Sequence, residues 1–339
     1  MIFPTLPRIV SEACIVSKAE GDGSLGACFD VVLEDDKLGE QSFERAECRM
    51  FENAIRLSCS KAGLSPSDVD VMLAGDLLNQ LITANYGARE LHIPYLGLYG
   101  ACSTMAETLL LGSILIDGGY QSLVSCTACS HFSTAERQYR FPLEMGTSAP
   151  PTAQRTVTGA GSILLSHQSV PLPLFTHIGV SAGTIGRVID LGVTDTNNMG
   201  AAMAPAACDT ILAHLSDMGR SERDYDLIVT GDLGTFGSEM LLELLREHGL
   251  SDKIRHVDCG ARIFHPKQGF LCGGSGCGCS AVVLCGWLLP KLERGELKRI
   301  LFLATGALMS PTANQQGESI PAVAHAVVLE HLENGGACR

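Results

Sequence analysis

Hydrophobic and polar positions fall into blocks along this chain, and the period changes from block to block. From about Ser42 to Ala62, the apolar residues Ala46, Met50, Ala54, Leu57 and Cys59 recur at helical spacing, which predicts a helix with one buried face. Gly63-Leu64-Ser65-Pro66 stops it. The next segment, Asp68 to Asp76, carries the run Val71-Met72-Leu73-Ala74 and then a polar exit, the pattern of a parallel strand buried on both faces. Ligand-binding loops of α/β proteins sit at such strand ends, and here Asn79, Gln80, Thr83 and Asn85 follow. Further on, Thr104 to Ile116 is almost wholly apolar, with Glu107 the only charge before Asp117. A helix of that composition is buried nearly all round.

The first strand phrase returns. Gly63, Asp68, Asp70, Gly75, Asp76 and Leu77 are matched by Gly219, Asp224, Asp226, Gly231, Asp232 and Leu233 at a constant offset of 156 residues, since 219 − 63 and 231 − 75 agree. Between Ile55 and Leu77 the ungapped match holds nine identities, and Val71, Met72 and Leu73 face Leu227, Ile228 and Val229. Each half continues with a small-residue turn, an apolar helix and a strand, from Gly100 to Thr127 and from Gly273 to Thr305. The chain therefore reads as a duplicated α/β unit, residues 1–170 and 171–339. Its joint is expected near Gln168-Ser169-Val170-Pro171-Leu172-Pro173, where paired prolines interrupt the pattern.

Composition narrows the function classes. With 339 residues, 46% of them hydrophobic and 18% charged, the chain can build an extensive core. A net charge of −13 with no offsetting Lys/Arg cluster argues against nucleic acid as a partner. No apolar run reaches membrane-spanning length and Met1 to Val10 lacks the features of a secretory signal, so the expected location is the cytoplasm. The fourteen cysteines then read as reduced thiols. Cys259, Cys272, Cys277, Cys279 and Cys285 do not reproduce paired zinc-ligand spacing. Cys126 and Cys129 lack the following helix that lowers a redox thiol's pKa. No cofactor is called for.

The candidate chemistry centres on Gly97 to Asp117. Gly100 and Ala101 allow a tight strand-to-helix turn, Ser103 or Thr104 can cap the first amides, and Cys102 stands at the head of the apolar helix. Free N–H groups and the positive end of the dipole there favour an anion at the sulfur or beside it. The plainer reading is a small apolar cysteine packed in a core turn.

Two copies of a strand–helix unit, each with a central buried helix, resemble the five-layered α-β-α-β-α thiolase fold, and Cys102 is placed like the nucleophile of its condensing enzymes. A narrower resemblance rests on Ala74-Gly75-Asp76-Leu77-Leu78-Asn79-Gln80, the Gly-Ala-Cys-Ser-Thr turn, Ser130-His131, and Thr134 to Pro142. Gly186 to Gly192, Met199 to Ala207, Gly273 to Cys277, Ala304 to Leu308 and Glu318 to Pro321 extend it. On these residues, from about Ser24 to Glu330, the chain is similar to the stage V sporulation protein AD family. The resemblance implies a protein that binds dipicolinic acid, pyridine-2,6-dicarboxylate, for uptake into the developing spore. It would sit peripherally at the spore inner membrane, held by membrane proteins of the same sporulation operon. It also implies a homodimer, since thiolase-fold relatives pair through the edge strand after the nucleophile helix, here the uncharged Leu123 to Thr127.

The resemblance allows a test of catalysis. Condensing enzymes need a His and an Asn besides the nucleophile, to polarise the thioester and hold the oxyanion. The His position, after Asp226 to Thr230, is Gly231, and the Asn position falls in Gly273-Gly274-Ser275-Gly276, which has no amide side chain. The expectation is a binding protein and not an enzyme. The alternative is an acyltransferase or 3-oxoacyl synthase-like enzyme that loads an acyl group on Cys102. His265, in Phe264-His265-Pro266, reads as a turn histidine.

A dicarboxylate needs donors at two ends and a flat apolar slot between them. Amides at the head of the Cys102 helix and in the Gly273 to Gly278 turn, Gly274 and Ser275 included, can take one carboxylate. Arg137, Arg140 or Arg187 can take the other, or each can serve an ordinary salt bridge. His131 faces the pocket or is a polar loop residue; Met203, Leu77 and Phe236 wall the ring or belong to the core. Asp76 and Asp232 read as helix caps, whereas Asp195 is assigned to the ligand, as a calcium ligand if the acid arrives as its chelate.

Overall fold

The computed structural model describes residues 1–140, 145, 149–172, 176–250 and 254–333. Phe141 and Pro142 of the sequence motif and Pro173 of the expected joint lie outside the described residues.

The first half runs β1 (Arg8–Val16), α1 (Phe43–Lys61), β2 (Val71–Gly75), α2 (Ile82–Leu91), β3 (Tyr95–Gly97), α3 (Thr104–Asp117), β4 (Leu123–Ser130), α4 (Phe132–Tyr139) and β5 (Gly159–Ser166). Its strands lie in the order β1-β5-β4-β2-β3, with β2 parallel to β3 and β4, and β5 antiparallel to β4 and β1. The second half runs β6 (Ile178–Thr184), α5 (Met199–Met218), β7 (Leu227–Thr230), α6 (Gly234–Glu247), β8 (His256–Asp258), α7 (Cys277–Val283), β9 (Arg299–Ala307) and β10 (Ala322–His331). Its order, β6-β10-β9-β7-β8, repeats the first with the same directions. The repeated phrase is thus β2 with its entry and exit, and β7 with its own. One pair, Arg8 with Gly179, joins the two sheets.

Helix placement follows the hydrophobic pattern. On α1, capped by the Ser42 hydroxyl accepting from Arg45 N at 3.3 Å, the buried face is Ala46, Met50, Ala54 and Cys59, completed by Phe51 and Ile55. That face packs on β1, β5 and β4 beside α2, as α5 packs on β10 and β9 beside α6. The apolar α3 and α7 lie between the sheets, α3 touching β2, β4, β9 and β10, and α7 touching β4, β5 and β9. The result is five layers, α-β-α-β-α, with both central helices enclosed.

One expectation fails. The strand Leu123 to Thr127 is not an edge: β4 lies between β2 and β5, and all its residues are buried. Its neighbour β5 returns antiparallel and fills the flank, so the lack of charge in β4 reflects burial on both faces. The edge of this sheet is β3, where Leu96 is half exposed.

Candidate functional site

Between β3 and α3, the small residues Gly100-Ala101-Cys102 turn the chain sharply. Ala101 takes a left-handed φ of 51°, unusual for a residue with a Cβ. A Cβ at Gly100 would stand 2.3 Å from Ser103 Oγ and 2.8 Å from Glu107 Oε2, so the turn leaves no room for a side chain there. The hydroxyls of Ser103 and Thr104 do not cap the first amides of α3; Thr104 Oγ1 accepts instead from Gly100 N at 3.3 Å, ahead of the helix. The two hydroxyls donate to Gly100 O at 2.6 Å and Ala101 O at 2.7 Å, locking the turn from within.

The turn presents Cys102, 5% exposed, to the carboxylate of Asp232. Asp232 follows β7 and was expected to cap a helix. Asp258 does that instead, accepting from Leu233 N, Gly234 N and Ala261 N at 2.8, 3.0 and 2.8 Å. The freed Asp232 takes Gly276 N at 2.8 Å, Ser275 Oγ at 3.3 Å and Thr305 Oγ1 at 2.8 Å. Asp76, its counterpart in the first half, is a cap as expected, accepting from Leu78 N and Ala84 N, both at 2.8 Å.

This placement sets the electrostatics. Complete burial pushes the Asp232 carboxyl up to about 6, against the pull of its hydrogen bonds. Burial, and next the Asp232 charge, hold the Cys102 thiol well above its ordinary value. The expected anion-stabilising environment is therefore overturned: at neutral pH Cys102 is a thiol, and the anion at this point is Asp232. The Gly276 amide, assigned from sequence to a ligand carboxylate, is already spent on a carboxylate of the chain itself.

A side chain at Gly231 or at Gly276 would be crowded. A Cβ at Gly231 would lie 3.1 Å from Ala304 Cα and 3.2 Å from Ser280 Cβ. At Gly276, with φ 98°, a Cβ would lie 2.7 Å from Ser130 Oγ.

In front of Cys102 lies a slot walled by Leu77, Tyr99, Tyr139, Met199 and Met309. Ser275, Thr156 and Arg140 supply its polar groups. The tyrosine hydroxyls meet at 3.0 Å, and Tyr139 also donates to Leu77 O. The free space is about 30 Å³, room for about two waters.

Of the residues proposed from sequence, the slot gathers Cys102, Ser275, Arg140 and Leu77. Arg140, its side chain only 8% exposed, is ion-paired with Glu136. Arg137 is exposed and paired with Glu44 on α1, and Arg187 is exposed and paired with Asp209 on α5, so the salt-bridge reading holds for both. His131 is buried as the cap of α4, accepting from Ser133 N at 3.1 Å through Nδ1 and donating Nε2–H to Asp36 O at 2.8 Å. Asp195 is exposed and accepts from Asn197 N at 2.9 Å, a turn contact away from the slot. Met203 is fully buried under the sheet; Met199, one helical turn earlier, is the methionine that reaches the slot. Gly274 contributes its carbonyl, which accepts from Gln154 Nε2 at 2.8 Å. Phe236 does not line the slot, and His265 accepts from Lys267 N as a turn histidine. Sequence reading missed Tyr99, Tyr139, Met199, Met309 and the pocket role of Asp232. For Asp232 a signal existed, because Gly-Asp-Leu recurs at the exits of both equivalent strands.

The model of the family described as stage V sporulation protein AD (SpoVAD) matches residues 1–330. The chain is a member of that family. It is 46% identical over 318 residues to stage V sporulation protein AD of Bacillus subtilis (strain 168), a match covering 94% of this chain and 92% of the relative. Among solved structures, 3-oxoacyl-[acyl-carrier-protein] synthase III from Aquifex aeolicus VF5 matches this family member with a TM-score of 0.59 at 13% identity, over 96% of this chain and 99% of that one. Human mitochondrial 3-ketoacyl-CoA thiolase matches with a TM-score of 0.57 at 14% identity, over 96% and 99%. At such identities the likeness establishes the thiolase-like fold of the family and nothing of its chemistry.

Proposed function

We propose that this sporulation protein uses the thiolase-like scaffold for binding, not catalysis, and that its ligand is dipicolinic acid, bound for uptake into the developing spore. The observation that carries the non-catalytic reading is Asp232: it occupies the donor turn at Gly276 and faces a protonated Cys102. A condensation step would build negative charge beside that carboxylate, and among the described residues lining the slot there is no imidazole or side-chain amide to meet it. The flat slot with apolar walls and Arg140 at its polar end suits a planar aromatic acid. Because the free space is about 30 Å³, a ring enters only as Tyr99, Tyr139 or Met309 turns aside. Calcium, if it accompanies the acid, is held by the acid's own donors, and Asp195, exposed and outside the slot's lining, is not assigned to it.

Two copies pairing through β3 would make the homodimer. Among the described residues no helix is long and apolar enough to cross a membrane, so attachment to the spore inner membrane would run through membrane proteins of the sporulation operon. A second reading, acyl loading of Cys102, draws on the one observation that the sulfur lines the slot.

Titration calorimetry with dipicolinate, with and without calcium, tests binding; Cys102→Ala should fold and bind more weakly. Intact mass after incubation with acyl-CoA thioesters tests the second reading. Steady carbon dioxide release from malonyl-CoA, abolished by Cys102→Ala, would overturn the binding reading.

A further inference from the structure

A second cavity, of about 430 Å³, adjoins the slot and shares Arg140 with it. The two-residue strand Arg155–Thr156 separates them, pinned beside Gly274–Ser275 by Arg155 N to Gly273 O at 2.9 Å and Val157 N to Ser275 O at 2.8 Å. Successive strand residues point opposite ways, so Thr156 lines the slot while Arg155 lines the second cavity.

Arg155 is held unusually. Its guanidinium is clamped between two rings, 3.8 Å from the centroid of Phe132 and 4.8 Å from that of Phe270. Its Nε is buried and without a partner, and no carboxylate among the described residues makes an ion pair with it. Glu20, Asp36 and Glu136 act on it only at longer range. Two more groups lining the cavity are unsatisfied: Arg140 Nε and Gln154 Oε1. Gln154 cannot turn to mend this, because its Nε2 is committed to Asp232 O at 2.6 Å and Gly274 O at 2.8 Å. Buried polar groups are nearly always paired, and leaving a charged one unpaired is costly. Three such atoms lie around one cavity: one arginine is paired with Glu136, which itself lines the cavity, and the other is stacked flat between two rings with no ion pair among the described residues.

We propose that this cavity takes a carboxylate of a small planar aromatic acid, and that Arg155 is the residue that grips it. The inference rests on the binding reading above and moves the carboxylate end of the ligand out of the Cys102 slot into the neighbouring cavity. A guanidinium fixed by stacking presents its fork with little entropy left to lose, which suits bidentate capture.

The test is titration calorimetry of dipicolinate, and of benzene-1,3-dicarboxylate, into the wild type, Arg155→Gln and Arg155→Lys, with circular dichroism as the folding control. Losing a charge-assisted bidentate contact should weaken binding by about ten- to a hundredfold in Arg155→Gln, with Arg155→Lys between the two. The unfolding midpoint should change little, because the stacking lost on Phe132 and Phe270 is offset by removal of a buried charge that makes no ion pair. Wild-type binding with an unaltered affinity in folded Arg155→Gln overturns this inference and leaves the binding reading standing. If Arg155→Gln does not fold, unaltered affinity in Arg155→Lys has the same force. Binding of benzene-1,3-dicarboxylate alone, dependent on Arg155, would support the cavity and overturn dipicolinate as its ligand. A wild type that takes neither acid overturns both.

Discussion

Replacing Asp232 by Asn tests the electrostatics of the site directly. The carboxyl rises from 3.8 in the unfolded chain to about 6 in the fold. An acid whose pKa is raised by folding contributes stability that is complete below its unfolded pKa and is lost as pH climbs to the folded one. Here the loss runs from about pH 4 to pH 6. At about 1.36 kcal/mol per unit, the shift amounts to about 3 kcal/mol above pH 6, of which about 1.4 kcal/mol develops between pH 5 and pH 8. Asn is nearly isosteric and can be satisfied: its oxygen keeps the Gly276 amide, and its NH₂ donates to Thr305 Oγ1 once that hydroxyl rotates. Urea unfolding of wild type and Asp232→Asn at several pH values should show the variant gaining on the wild type as pH rises, by about the amount given. Asp258 and Asp76 shift in the same direction, but they are present in both proteins and largely cancel; relief of Asp258 from the Asp232 charge adds to the gain. A stability difference independent of pH would refute a buried Asp232 carboxylate whose pKa is raised by the fold.

Iodoacetamide at pH 8 should modify the exposed Cys28 while Cys102 stays intact; peptide mass mapping that finds Cys102 alkylated first would contradict a buried, protonated thiol. Gly231→Ala should lose about 1–3 kcal/mol in urea unfolding, since its Cβ presses on Ala304 and Ser280; an unchanged midpoint would mean that the site yields easily and that an imidazole can be fitted there. Light scattering should give about twice the chain mass of 35.9 kDa for the wild type, and Leu96→Lys should shift it toward the monomer if β3 is the pairing edge.

The fold was legible because duplication leaves a trace that packing alone does not. The Gly-Asp-Leu exits at Asp76 and Asp232 marked equivalent strands, and the apolar run after Cys102 marked a helix covered on all sides. The edge assignment failed because β4 was judged by its missing charge and not by its missing polar face; eight residues without an alternating pattern describe an interior strand. Among the arginines, sequence could not distinguish Arg140, buried beside the slot, from Arg137 and Arg187, whose partners Glu44 and Asp209 arrive through tertiary contacts. Arg155 was invisible for a related reason: its meaning lies in the two phenylalanines that clamp it, Phe132 and Phe270, 23 and 115 residues away in sequence. Met199 and Met203 stand one turn apart on the same face of α5, so helical spacing cannot tell them apart, and only the sheet beneath α5 decides which one is core.

The carboxylate of Asp232 can also be viewed as a tethered competitor. Any outside anion seeking the Gly276 amide contends with a group on the same chain, whose effective concentration is on the order of millimolar or higher and which never diffuses away. Removing it by one mutation frees the amide but supplies no imidazole, and placing an imidazole at Gly231 presses on the Ala304 backbone while the competitor remains. Either change alone thus leaves the site without an imidazole facing an unoccupied donor turn. On the binding reading, a substitution in the slot walls would change what the slot holds, whereas a reaction there would need at least two coordinated changes.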